Sequence, residues 1–122
     1  MRRRLTLALL GASPLALACG APPDRRLRVP LATLSTGGRR VVDHGGEPVE
    51  LLRTETGVVA RSLLCSHYGC RVSWRPERSQ YVCACHQGAF DAEGRPVAGP
   101  PTRPLRPVAA AVEGDAVLVG EP

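Results

Sequence analysis

The sequence predicts an all-β domain, and three observations carry that prediction. No segment spaces its apolar residues three and four apart along a helical stripe. The chain instead offers short apolar runs, "RRVVD" (39–43), "VELLR" (49–53) and "VVARSLL" (58–64), each closed by turn residues. Twelve prolines and thirteen glycines supply the breaks that many short strands need.

Taken in order, "HGGEP" (44–48) turns the first run into the second, and "TETG" (54–57) turns the second into the third. The third run leads into a cysteine-rich window. Beyond it, "RPVAAAVEG" (106–114) and "DAVLVG" (115–120) read as a closing hairpin with Gly114 and Asp115 at its turn. A chain of 122 residues suffices for one small domain, and it carries no repeat or low-complexity tract. We expect that domain to occupy 27–120, with 27–62 and 95–120 as a base and 63–92 as an inserted unit carrying the site.

The N-terminus, "MRRRLTLALLGASPLALACG", opens with Arg2, Arg3 and Arg4 and continues as an apolar run from Leu5 to Ala18, broken by Gly11 and Pro14. A membrane-spanning helix needs about 20 apolar residues, so this run suits an export signal over 1–18. It ends "LALAC", which is similar to the lipobox of bacterial lipoproteins. That resemblance implies cleavage before Cys19, lipidation of Cys19, and a tether over 19–26. An uncleaved short anchor is the competing reading. "RRRL" is also similar to the twin-arginine export motif, without its fuller context. The expected location is the periplasmic side of a bacterial membrane, held by a lipid anchor.

All sixteen basic residues are arginines. Without residues 1–18, thirteen arginines face eleven acids, a balance of about +2. No basic run is interleaved with aromatics, so nucleic acid is not an expected partner. The four aromatics are Tyr68, Trp74, Tyr81 and Phe90. They share the stretch 65–90 with four of the five cysteines, and the chemistry is expected there.

That stretch contains "CSHYGC" (65–70) and "CACHQGAFD" (83–91). Cys65, Cys70, Cys83, Cys85, His67 and His86 outnumber the ligands one tetrahedral zinc requires. The residue types alone leave three readings open. These are a zinc site of two cysteines and two histidines, a metal-free disulfide pair, and a binuclear iron–sulfur centre with mixed ligands.

The spacing Cys65-x-His67-x15-Cys83-x2-His86 resembles the motif of the Rieske [2Fe-2S] proteins. The similarity extends to "GRPVAGPPTRPL" (94–105), which is like the proline loop covering the cluster, and to the closing strands, so it spans about 27–120. The resemblance implies a Rieske-type fold of antiparallel sheets, a base with a small inserted cluster-binding subdomain. It implies one [2Fe-2S] cluster, with Cys65 and Cys83 on the buried iron and His67 and His86 on the outer one. Two neutral imidazoles in place of two thiolates raise the potential above that of an all-cysteine ferredoxin. The outer histidines also link electron to proton transfer, the basis of quinol oxidation in the cytochrome bc complexes. Cys70 and Cys85 sit where the cytochrome bc branch carries a disulfide between its two cluster loops, which implies that bridge here. The bridge demands an oxidising compartment, in agreement with the export signal.

Departures from the family pattern concentrate in the second box. The highest-potential members carry serine two residues after the second histidine and tyrosine two further on. Here these are Gly88 and Phe90, neither able to donate a hydrogen bond, so a lower potential is expected. Tyr68 stands where the family is apolar, and either helps dock a partner or packs over the cluster. Gln87 replaces a frequent glycine and is expected to be a solvated tip residue. Trp74 and Tyr81 are expected in the core, Gly69 and Gly99 at tight turns, His44 in a solvated turn, and Asp91 as a local cap.

The expected function is electron transfer, as the iron–sulfur subunit of a quinol–cytochrome c reductase-like complex. Its partners would be a cytochrome b- or c-type protein and quinol. Rivals are the small subunit of an arsenite-oxidase-like enzyme, beside a molybdopterin subunit, and a free-standing carrier. From another class comes a zinc-stabilised binding module. An oxygenase-type ferredoxin is disfavoured because it normally lacks the Cys70–Cys85 pair.

Overall fold

The computed structural model describes residues 11, 20, 22–101 and 103–122. The expected signal segment (Gly11 apart) and Cys19 lie outside the described residues. The described strands are β1 (Leu27–Pro30), β2 (Arg39–His44), β3 (Glu47–Arg53), β4 (Val58–Ser62), β5 (Val72–Arg75), β6 (Gln80–Cys83), β7 (Ala89–Phe90), β8 (Pro96–Ala98), β9 (Pro107–Val108), β10 (Ala110–Glu113) and β11 (Ala116–Val119). A 3-10 turn at Leu31–Thr33 is the one helical element among the described residues, and none of their helices is long and apolar enough to cross a membrane. The all-β expectation holds.

Three antiparallel sheets make up the fold, in the orders β1-β11-β10, β2-β3-β4-β9 and β5-β6-β7-β8. The first two close on Val29, Leu34, Val49, Leu51, Ala60, Val117 and Val119. Strand alternation does the sorting: Val49 and Leu51 point into this core, and Glu50 points to the other face. β11 runs between two neighbours and is buried at all four positions. The third sheet has its own core of Leu63, Cys65, Val72, Tyr81, Cys83, Phe90 and Leu105.

The runs at 39, 49 and 58 form β2, β3 and β4, and the closing hairpin turns at Gly114 with φ of 61°. Three features go beyond the sequence reading. β1 pairs with β11, Leu27 opposite Val119. Four residues ending in a proline show no alternation long enough to announce a strand. The run at 106–113 divides at Ala109. Pro107 and Val108 pair with β4, and Ala110–Glu113 pair with β11. Pro107 lacks an N–H and suits the edge place it takes there. The third sheet continues to Ala98. His44 is not a free turn residue: it ends β2 half-buried, with its ring against Gly120.

The chain leaves the base for the third sheet through a fixed crossing. Ser62 is 1% exposed, and its hydroxyl accepts the Leu64 N–H at 3.1 Å. Leu63 N donates to Pro48 O and Ser62 N to Arg106 O, so outgoing and returning segments are tied to one strand end. Arg106 also pairs with Glu47. Hydrogen bonds from Ser62 and Arg106 hold the Glu47 carboxyl below its ordinary value. A depressed carboxyl contributes stability above its unfolded value and loses it as pH falls through the folded one. Glu47→Gln should therefore melt below wild type at neutral pH. The gap should close as pH drops below 4.5, the group's ordinary value; thermal melts across that range check it.

Candidate metal centre

Two loops present the site, and each is closed by its own backbone. In the first, Cys65 N donates to Cys70 O at 2.6 Å and Gly69 N to Cys65 O at 2.9 Å. Gly69 takes φ of 70°, the left-handed turn that its lack of a Cβ permits. In the second, Cys83 N donates to Gly88 O at 2.8 Å, and Gln87 sits at φ of 54°. Gln87 is exposed, as expected of a tip residue. A disulfide joins the loops, Cys70 to Cys85, with Cα atoms 6.4 Å apart.

The six predicted residues come together, sorted by depth. Cys65 is 4% exposed and Cys83 fully buried, and both are free thiols. The rings of His67 and His86 meet edge-on, with centroids 5.1 Å apart. The Sγ atoms of Cys70, Cys83 and Cys85 lie within 4.8 Å of one another, but two of the three are spent in the disulfide. Burial pushes the Cys65 thiol up, the backbone N–H of His67 draws it down, and the neighbouring Cys83 thiol pushes it up again. A thiol raised in this way gives up its proton readily only to a positive group bound beside it.

The donors fit a binuclear iron–sulfur group. His67 Nδ1 is buried and has no hydrogen-bond partner. An orphaned buried nitrogen costs about 1–3 kcal/mol, and ligation to a metal removes that cost. Anionic sulfur below and neutral imidazole above suit a centre with one buried and one outer iron. Tyr68 covers both imidazoles from outside. Its ring lies 3.9 Å from that of His67 and 5.4 Å from that of His86, and it remains 73% exposed.

The loop after β8 rests directly on the second box. Gly99 has φ of 78°, and a Cβ there would lie 2.7 Å from Gly88 Cα. A Cβ at Gly88 would lie 2.8 Å from Pro101 Cγ. Gly88 thus lacks a hydroxyl and also provides the flat seat for the proline. Phe90 is fully buried in the cluster-side core. Restoring a donor by Phe90→Tyr should raise the midpoint by about 40–60 mV, the equivalent of roughly 1 kcal/mol for one electron. A redox titration checks it, and an unchanged midpoint refutes the lower-potential reading. Gly88→Ser should instead displace Pro101 and lower the melting temperature.

Asp91 caps its own turn, accepting the N–H groups of Glu93 and Arg95. Tyr81 lies in the core as expected, and Trp74, half-buried, packs on it edge to face at 4.9 Å. The Tyr81 hydroxyl does more than fill the core. It donates to Glu50 at 2.6 Å and accepts from Arg39 at 2.9 Å. Arg39 also donates to Glu50 at 2.6 Å, and its guanidinium lies 3.6 Å from the Trp74 ring centroid. Burial pushes the Tyr81 phenol up, and the Glu50 carboxylate adds to it. Sequence reasoning missed Arg39 and Glu50. The signal was the acid inside the apolar run "VELLR"; alternation turns it away from the base core, and its burial comes from Tyr81 and Arg39 covering that face.

A family model described as the Rieske [2Fe-2S] domain matches residues 28–110. The chain belongs to the Rieske [2Fe-2S] domain family. Its cofactor is a Rieske [2Fe-2S] cluster. It is 34% identical over 93 residues to the cytochrome b6-f complex iron-sulfur subunit of Prochlorococcus marinus strain MIT 9301, covering 73% of this chain and 52% of that one. The chain spans about half the length of the cytochrome b6-f subunits it matches. Among solved structures it resembles the plasma membrane Rieske protein PetC3 of Synechocystis PCC 6803, with a TM-score of 0.59, 29% identity, and 68% and 86% of the two chains covered. It also resembles the ferredoxin of carbazole 1,9a-dioxygenase from Nocardioides aromaticivorans IC177, with a TM-score of 0.57, 31% identity, and 78% and 96% covered.

Proposed function

We propose that this Rieske protein is the iron–sulfur subunit of a quinol-oxidising, cytochrome-reducing respiratory complex. Cys65 and Cys83 hold the inner iron, and His67 and His86 the outer one. The observation that carries this reading is the sorting of donors by depth, two buried free thiols at the loop stems and two imidazoles whose rings meet in the same pair of loops. The bound cluster supplies a one-electron couple at a potential raised by its two imidazole ligands.

The chain's own residues do the rest. The buried cysteines and the proline loop over Gly88 keep water from the sulfur side. His86 is exposed, and Tyr68 lies beside it, so a donor reaches the imidazole edge without any opening of the fold. With one ring nitrogen on the outer iron, the other would have to be deprotonated to accept a hydrogen bond and a proton from a hydroxylated donor, with the electron passing to the bound cluster. The similarity to cytochrome b6-f subunits and the Cys70–Cys85 bridge support quinol as that donor.

The domain occupies 27–120, and its cluster unit begins at 63 and runs past 92, with β8 in its sheet and Leu105 in its core. Export, a lipid anchor on Cys19 and a periplasmic location are supported by the basic-then-apolar N-terminus and by a disulfide that needs an oxidising compartment. A second reading is a free-standing carrier, favoured by coverage of 96% of a dioxygenase ferredoxin. The full-length chain, expressed in its own host with its leader, separates the two. In the subunit reading it stays in the membrane until detergent is added, copurifies with b-type haem, and is reduced by quinol. A soluble protein reduced by a flavoprotein reductase but not by quinol overturns it.

A further inference from the structure

Among the described residues, Glu50 is the one buried charged side chain, 4% exposed. A carboxylate in that position needs full compensation. It faces away from the base core that Val49 and Leu51 fill, toward the cluster-bearing sheet. Arg39 reaches it from β2, where Arg39 opposite Leu52 and Val41 opposite Glu50 put both on one face. From the other side comes Tyr81, cross-strand partner of Trp74. Tyr81 and Cys83 are two residues apart on β6, so they share a face, and both are fully buried. The charge pair therefore lies one tyrosine side chain from the strand that carries a cluster cysteine. Stability alone does not call for it, since apolar side chains in place of a buried pair are often neutral or stabilising.

We propose that Arg39 and Glu50 form a tuning pair for the cluster's reduction potential, in which Glu50 cancels an arginine charge held beneath the Cys83 strand by Tyr81 and Trp74. The pair acts through space and touches no reacting atom. Reduction adds a negative charge to the cluster. An uncompensated Arg39 would favour the reduced form, and an uncompensated Glu50 the oxidised form. At a separation on the order of 10 Å and an effective dielectric near 20, one unit charge changes the reduced-to-oxidised ratio about tenfold. Arg39 remains charged whatever surrounds it, so Glu50→Gln gives the clearer sign. The inference rests on Cys83 as a ligand. Loss of the Rieske spectrum in Cys83→Ser tests that reading separately.

The experiment is an EPR-monitored redox titration of the loaded full chain, wild type beside Glu50→Gln, Arg39→Gln and the double variant. Glu50→Gln should keep the wild-type line shape while its ratio at fixed potential shifts at least threefold toward reduced, about 30 mV at 59 mV per tenfold. Arg39→Gln should shift the other way, and the double variant should return close to wild type. A merely structural role lowers melting temperatures without this pattern of signs. An unchanged or lowered midpoint in Glu50→Gln overturns the proposal. If that variant does not load its cluster, an unchanged or raised midpoint in Arg39→Gln overturns it. If neither single variant loads its cluster, the double variant decides, and a ratio at fixed potential displaced more than about threefold from wild type overturns the proposal, because the two charges are held to cancel.

Discussion

Removing the Cys70–Cys85 bridge will cost the protein about 3 kcal/mol by the loop-entropy estimate, and it will cost the protein its cluster. The bridge joins residues 15 apart, one in each loop of the site. Between them lies the β5–β6 hairpin, held by four cross-strand pairs from Val72–Cys83 to Arg75–Gln80. The hairpin fixes the stems but not the tips, where Tyr68, Gly69, Cys85, His86 and Gln87 are all exposed. The tip of the second loop has one backbone closure of its own, Cys83 N to Gly88 O. A small core holds few kcal/mol in reserve, and small folds depend on such staples. The double variant Cys70→Ala/Cys85→Ala avoids leaving a lone thiol beside the free cysteines Cys65 and Cys83. Its denaturation midpoint should fall, and its Rieske EPR signal should be absent or should decay within hours. The circular dichroism of the base strands should survive, because the core around Val49, Leu51 and Val117 touches neither loop. An unchanged midpoint with a stable signal would show that backbone closure alone holds the tips.

What could be read in the sequence follows from how local each cause is. The runs at 39, 49 and 58 announced β2, β3 and β4 because each is a short apolar run set off by turn residues. That Cys65, His67, Cys70, Cys83, Cys85 and His86 would meet in two loops was legible because their spacing is a property of two short boxes. β1 was not, since its partner Val119 lies at the far end of the chain. The division at Ala109 depends on which neighbour each half finds, β4 or β11. The same holds for Tyr81. Its burial was expected, but its hydroxyl's partners come from β2 and β3 and depend on how one sheet sits on another. Gly88 was read as a missing hydroxyl, whereas its contact with Pro101 requires the proline loop in place.

Replacing His86 by alanine will abolish the Rieske spectrum while leaving the metal-free fold nearly as stable as before. His86 is exposed and lies on a loop tip, and substitutions of that kind usually stay within about 0.5 kcal/mol. His67 should lose the cluster equally but behave differently without it. Its Nδ1 is buried and unpartnered, so His67→Ala removes a desolvated nitrogen together with the ring contacts to Tyr68 and His86. These effects oppose each other, so the metal-free variant should again melt close to wild type. Loss of the spectrum at unchanged metal-free stability identifies a ligand, since a structural histidine would lower both. Reconstituted protein, followed by EPR and by melting before and after loading, makes the distinction. A retained Rieske signal in either variant would remove that histidine from the ligand set. A structural zinc site predicts no EPR signal in the wild type, so the first spectrum tests the cofactor and the variants test its ligands.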